Sequence, residues 1–198
     1  KLEYKNKNDI HENELAIMHY YIANLKIEVT YKQKMGKYAE FENIFFVDTL
    51  DNLGCDFKGK QEGMFGLAVE NAERIKRQNK KKISVIIGNP PYNANQANEN
   101  DNNKNREYEL IDKRIKDTYI KQSTAQKTKI YDMYARFLRW GSDRLDKNGI
   151  ITFVSNNSFI NARTYDGFRK CVSDEFNHLY IINMKGDART SGEQRRKE

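Results

Sequence analysis

Ile83-Ser84-Val85-Ile86-Ile87-Gly88-Asn89-Pro90-Pro91-Tyr92 is the stretch whose reading decides the fold. Its first five residues are mostly β-branched and apolar, as in a short strand buried within a parallel sheet. Gly88 lets the backbone leave the strand, and Pro90 and Pro91 stiffen it, because each ring fixes φ. Asn89 precedes a proline and is biased towards an extended conformation. In open α/β sheets, ligands sit outside the carboxyl ends of the strands. The stretch therefore brings an amide, a carbonyl with no N–H on the next residue and an aromatic ring to the edge where chemistry is done.

Such a set suits an amino group conjugated to a ring or carbonyl, a poor nucleophile because its lone pair is delocalised. The Asn89 side-chain oxygen and the Pro90 carbonyl are positioned by sequence to accept its two hydrogens, drawing the nitrogen towards a tetrahedral shape. Tyr92 is suited to stack on the ring, as aromatics do on extruded bases. A structural Pro-Pro turn is the plainer alternative. Against it, these are the only two prolines in the chain, and they follow an apolar strand directly.

Asn89-Pro90-Pro91-Tyr92 resembles the motif of amino-group methyltransferases that use S-adenosylmethionine, adenine-specific DNA methyltransferases among them. The resemblance runs from Glu14 to about Gly192. Glu70 to Lys76, Ser123-Thr124-Ala125-Gln126 and Tyr131-Asp132-Met133-Tyr134 are similar to single-polypeptide Type I (Type ISP) restriction-modification enzymes, as are Arg139-Trp140 and Asn156-Asn157-Ser158-Phe159. It implies a doubly wound, mostly parallel, Rossmann-like α/β sheet with S-adenosylmethionine as cofactor. It also implies Asn89, Pro90, Pro91 and Tyr92 as catalytic residues, DNA as partner through a flipped adenine, and the remaining domains of a larger enzyme.

Composition is compatible with this. The 198 residues are enough for one domain with a sizeable core, and 38% hydrophobic against 32% charged residues is polar but globular. The net charge of +7 fits a polyanionic partner, although excess lysine also serves solubility. Cys55 and Cys171 lack Cys-x-x-Cys spacing, so neither a disulfide framework nor a zinc site is indicated. His11, His19 and His178 show no metal-ligand spacing and read as structural. No apolar run reaches the length of a membrane span and no signal peptide opens the chain, giving the expectation of a cytoplasmic protein.

Along the chain, Ile10 to Glu14 suggests a short strand and Leu15 to Thr30 a helix with Leu15, Met18, Ile22, Leu25 and Val29 on its apolar face. Glu14 falls at a strand-to-helix junction, where mononucleotide-type folds place an acid on a ribose. The family resemblance assigns it the ribose hydroxyls of the cofactor; a glutamate favoured by the helix dipole is the alternative. Asn43 to Val47 is a second apolar run, ending near Asp48. The family carries an acid there that binds the adenine amino group of the cofactor, whereas an Asx turn is the structural reading.

Met64 to Asn79 reads as a helix with Phe65, Ala68, Ala72 and Ile75 on one face and a basic end suited to its dipole. Asn93 to Arg106 is asparagine-rich and reads as a loop beside the motif, a placement that suits a lid. Glu107 to Tyr119 and Lys129 to Leu145 are expected helices. In the second, Ile130, Met133, Tyr134, Phe137, Leu138 and Leu145 face the core, and Lys129, Asp132, Arg136, Arg139 and Asp143 face out. Asn148-Gly149 turns the chain into a strand, Ile150 to Val154, whose end carries Ser155-Asn156-Asn157. Thr164 to Phe176 reads as a helix and Leu179 to Asn183 as a last strand, so strands and helices alternate as in a doubly wound sheet.

The family normally opens with a glycine-rich segment around the methionine end of the cofactor, and no such cluster precedes Glu14. The expectation is a methyltransferase core without its first cofactor-binding strand and target-recognition domain, a fragment of a larger enzyme or a truncated product. Two alternatives stand beside a DNA methyltransferase: an RNA or protein-glutamine methyltransferase with the same chemistry, and an inactive remnant acting as a binding module.

Overall fold

The apolar run at Ile83 forms a strand, Ile83–Gly88, parallel to Leu145–Phe153, but it is not the buried strand expected: Ile86 is buried while Val85 and Ile87 are exposed. This arrangement belongs to a computed structural model, which describes residues 1–52, 67–91, 107–124 and 130–184. In order, its elements are α1 (Leu2–Asn8), β1 (Glu12–Glu14), α2 (Ile17–Met35), β2 (Ile44–Phe46), α3 (Leu67–Asn79) and β3 (Ile83–Gly88). Then come α4 (Glu109–Ile115), α5 (Met133–Arg144), β4 (Leu145–Phe153), α6 (Ser158–Asn161) and α7 (Asp166–Glu175). A π-helical turn, Lys116–Ile120, prolongs α4, and a 3-10 turn, Arg163–Tyr165, leads into α7.

The four strands make two parallel pairs, β1 with β2 and β3 with β4. The fold is therefore mixed α/β with short parallel sheets, and among the described residues the pairs do not merge into one doubly wound sheet. Trp140, Leu50, Ile86, Tyr108 and Ile111 form a buried cluster that joins the loop after β2 to β3, α4 and α5. A second cluster, with Tyr119, Tyr134, Tyr165 and Phe168, packs α7 and the π-helical turn on α5. Between the pairs, the Arg144 guanidinium donates to the carbonyls of Asn79 (2.9 Å) and Gln78 (3.2 Å), tying the end of α5 to that of α3.

β2 is finished on its outer side by a side chain. The Asn71 amide accepts from the Phe46 N–H (3.1 Å) and donates to the Phe46 carbonyl (2.9 Å). It thus supplies both bonds that a neighbouring strand would give that residue.

Several expectations are corrected. The apolar face of α2 is not buried: Leu15, Met18, Ile22, Leu25 and Val29 are all exposed, and the buried residues of the helix are Glu28 and Tyr31. Glu28 turns inward because its carboxylate accepts the Phe41 N–H (3.1 Å) and the Tyr38 hydroxyl (2.9 Å). In α5 the expected inner face is correct, but Asp132, Arg136 and Arg139 are also buried. Arg136 is held by Asp112 at 2.7 and 2.9 Å, and Arg139 by Glu175 and Asp143 at 2.7 and 2.8 Å. Pairing compensates a buried guanidinium for its lost hydration.

β4 begins without a loop, because Leu145 already pairs with Ile83. The Asn148-Gly149 turn is absorbed as an irregularity before Val85 meets Ile150. Leu179 to Asn183 forms no strand; Leu179, Tyr180, Ile181 and Ile182 are exposed. A strand needs a strand to pair with, and among the described residues β1 to β4 pair only with one another.

Candidate active site

Strand register sets the site. Val85, Ile86, Ile87 and Gly88 pair in step with Ile150, Ile151, Thr152 and Phe153, and the Val154 N–H donates to the Gly88 carbonyl (3.1 Å). The pairing therefore holds up to the residue before Asn89. Asn89 is exposed at the carboxyl end, Pro90 is buried beneath it, and Pro91 is exposed. Gly88 permits a close approach: a Cβ there would lie 2.8 Å from the Phe153 ring, which occupies the space a side chain would need. Ser155 to Asn157 follow β4 at the same edge, as register requires, and the Asn156 side chain accepts the Ser158 N–H (2.7 Å) at the start of α6.

Glu14 and Asp48 lie at the matching edge of the other pair. Glu14 stands opposite Phe46, with the Val47 N–H donating to its carbonyl (3.0 Å), so Asp48 follows two residues beyond the pairing. Glu14 Oε1 accepts the N–H groups of Leu15 and Ala16, each at 2.9 Å. It holds the two residues that lead from β1 into α2, whose N-cap, Ala16, carries no side-chain capping bond. Burial raises the neighbouring Glu12 carboxyl above its ordinary value, and the Glu14 charge adds to that shift.

Asp48 is half-buried. One oxygen accepts the Leu50 N–H (3.0 Å), making the Asx turn, and the other accepts the Tyr108 hydroxyl (2.9 Å). Beside it lies a cavity of about 310 Å³ lined by Leu50, Asp51, Glu107, Tyr108, Glu109 and Leu110. The size falls at the lower end of the range for small-ligand pockets, about 300–1,000 Å³. Apolar and aromatic walls suit a flat ring. The carboxylates of Asp51, Glu107 and Glu109 disfavour phosphate and favour a neutral or cationic ligand rich in N–H donors. The nucleoside half and the sulfonium charge of S-adenosylmethionine fit that donor set.

The Leu50–Ile86–Tyr108 cluster brings Asp48 and β3 into one neighbourhood, and Glu14 joins them through β1–β2 pairing. Tyr92 and the loop from Asn93 to Arg106 lie outside the described residues, as do Cys55, Phe65, the side chain of Ala68, Lys129 and the basic tail. Lys81 is structural, donating to the Asn8 carbonyl (2.7 Å) and standing 3.4 Å from His11 Nε2. Burial, with Lys81 close by, lowers the His11 pKa. Among the described residues no cluster of His, Cys, Asp and Glu forms a metal site, and no helix is long and apolar enough to cross a membrane.

Tyr108 is the residue that sequence reasoning missed. It lies 60 positions from Asp48, and no local pattern marks an aromatic at a helix start as an acid's partner.

A family model described as Eco57I restriction-modification methylase matches residues 2–189. No curated protein matches the chain. Among solved structures, the chain is similar to DrdV in a cryoEM complex with DNA: 63% identity and TM-score 0.87 over 98% of this chain and 19% of that one. The Type ISP restriction-modification enzyme LlaGI, a nuclease-deletion mutant in complex with a DNA substrate mimic, gives 42% and 0.84 over 96% and 15%. The ATP-dependent Type ISP enzyme LlaBIII bound to DNA gives 37% and 0.76 over 86% and 11%. The chain thus spans less than a fifth of the length of DrdV, LlaGI or LlaBIII.

Proposed function

Because the chain belongs to the Eco57I restriction-modification methylase family, we propose that it is the catalytic core of an adenine-specific DNA methyltransferase that uses S-adenosylmethionine. The observation that carries this reading is Asn89, exposed at the carboxyl end of β3 over a buried Pro90, in the same neighbourhood as Asp48 and its cavity. The amino nitrogen of adenine is a weak nucleophile because its lone pair is shared with the ring. Asn89 Oδ1 and the Pro90 carbonyl accept its hydrogens and localise that lone pair, Pro91 keeps the backbone rigid, and Tyr92 stacks on the flipped base. When bound, S-adenosylmethionine supplies the methyl group on an electrophilic sulfonium. Glu14 accepts the ribose hydroxyls and Asp48 the amino group of the cofactor's adenine.

DNA is favoured over RNA or protein as substrate by the DNA-bound state of all three similar structures and by the net charge of +7. The exposed apolar residues of α2 and of the β3–β4 pair support a place inside a larger restriction-modification polypeptide. A cytoplasmic location follows from that role.

The test is Asn89→Ala in the protein at its full natural length. Methyl transfer to DNA is expected to fall roughly 100- to 1,000-fold, the effect of losing one directed hydrogen bond worth about 2.7–4 kcal/mol in the transition state. Cofactor affinity by titration calorimetry is expected to change little. Near-normal turnover in this variant would overturn the mechanism.

A further inference from the structure

We infer that Tyr108 is the positioning residue of Asp48, fixing the carboxylate that the cofactor reading above gives to an exocyclic amino group. The inference rests on the cofactor reading above and deepens it. Asp48 is held at both oxygens, by the Leu50 N–H and by the Tyr108 hydroxyl, so its carboxylate plane has one orientation. Leu50 and Tyr108, the two residues that hold the Asp48 carboxylate, line the cavity, which places that carboxylate next to it.

Tyr108 is itself fixed from every side. Its ring is buried with Leu50, Ile86, Ile111 and Trp140, and the Arg136 guanidinium lies 5.3 Å from its centroid. Its backbone N–H donates to the Asp112 carboxylate (3.2 Å), and the Asp112 N–H donates back to its carbonyl (2.8 Å). Arg136 grips that same carboxylate at 2.7 and 2.9 Å. The hydroxyl therefore reaches Asp48 from a ring that cannot swing, through a chain of contacts running back into α5.

An ionised carboxylate is only an acceptor. A phenol that donates to it holds it in place without offering a donor to the ligand. The carboxylate then welcomes the amino group of adenine and opposes the exocyclic carbonyl oxygen of hypoxanthine, whose acceptor would meet an acceptor. The carboxylates of Asp51, Glu107 and Glu109 around the cavity reinforce that preference.

The experiment compares S-adenosylhomocysteine with S-inosylhomocysteine by titration calorimetry on the protein at its full natural length. The ligands differ at the 6-position, which faces Asp48 in this reading, and in the proton that hypoxanthine carries on the adjacent ring nitrogen. Wild type is expected to prefer the amino compound by about 10- to 100-fold, the range of a hydrogen bond to a charged group. Tyr108→Phe is expected to reduce that preference about 5- to 10-fold with the unfolding midpoint and S-inosylhomocysteine affinity retained, since the loss falls on one orienting bond. In Asp48→Asn, adding Tyr108→Phe is expected to change the preference no further. If wild type binds neither compound, the cofactor reading falls with the inference. If wild type discriminates and Tyr108→Phe discriminates equally well, or weakens both ligands alike, Tyr108 does not position Asp48 and only the inference is overturned.

Discussion

Glu14 shows how one side chain serves fold and site together. Oε1 is spent on two backbone N–H groups at the entry to α2, while the proposed function asks the same carboxylate to meet a ribose. The two duties separate under substitution. Glu14→Gln keeps an oxygen for these two bonds and is expected to leave stability within about 0.5 kcal/mol, whereas Glu14→Ala removes their acceptor at a cost of about 1 kcal/mol. Cofactor affinity is expected to fall in both and further in alanine, as denaturant unfolding and calorimetry on the same samples would reveal. Equal stability of the two variants would remove the structural role of these bonds. At this scale the sequence was informative wherever a residue acts on its own neighbourhood. Asn89, Glu14 and Asp48 lie at strand ends, as the alternation of apolar run and polar stop implies. It was uninformative for Arg136 and Arg139, whose burial depends on Asp112 and Glu175, distant in the chain.

At the scale of elements, the joint between α7 and the π-helical turn is the tightest contact. A Cβ on Gly167 would lie 2.0 Å from the Tyr119 carbonyl oxygen, so the start of α7 sits directly on the backbone before it. Asp166 fastens this joint. Its carboxylate accepts the Ser123 hydroxyl, the Thr124 N–H and hydroxyl (2.8 Å each) and the Gly167 N–H (2.7 Å). The Ser123 bond above all, then the Thr124 N–H, holds the Asp166 carboxyl well below the usual carboxylate range. A depressed carboxyl stabilises the fold above its unfolded pKa of about 3.9, and that contribution is lost as pH falls through the folded value. Asp166→Asn is therefore expected to be less stable than wild type at neutral pH, by about 1 kcal/mol for a half-buried, solvent-screened group. The gap should narrow below about pH 4, read as unfolding midpoints across pH; a gap independent of pH would dissociate the charge from the joint. The Ser123-Thr124 part of the restriction-enzyme-like motif is thus a clasp for a helix. Existence and order of α2, α3, α4, α5 and α7 and of the four strands were legible from periodicity, whereas the short α1 and α6 were not. Ends were less so: α2 runs on to Met35, and β4 starts five residues early, because pairing with Ile83 rather than local preference decides it. The run at Leu179 has the composition of a strand, but the pairings among the described residues are β1 with β2 and β3 with β4, and none includes it.

Over the whole molecule, charge and apolar surface pull in different directions. The net charge of +7 keeps copies apart, while Ile87 at 80% exposure, Ile150 at 63% and the face of α2 invite association. Asn71 limits one route. Asn71→Ala uncovers the N–H and carbonyl of Phe46, and the chain on its own is then expected to show more concentration-dependent association in sedimentation velocity than the unsubstituted chain. No increase would mean that this edge is shielded by something other than the amide.

The same side chain gives the β1–β2 pair a polarity. With an amide occupying the far side of β2 at Phe46, the ribbon is closed on that border, and among the described residues the β1 border is the one left for another strand. An extra strand paired to β1 would enter beside Glu14, on the side where the ribose-binding acid is proposed to work. One asparagine on α3 thereby biases the direction from which the pair can be extended.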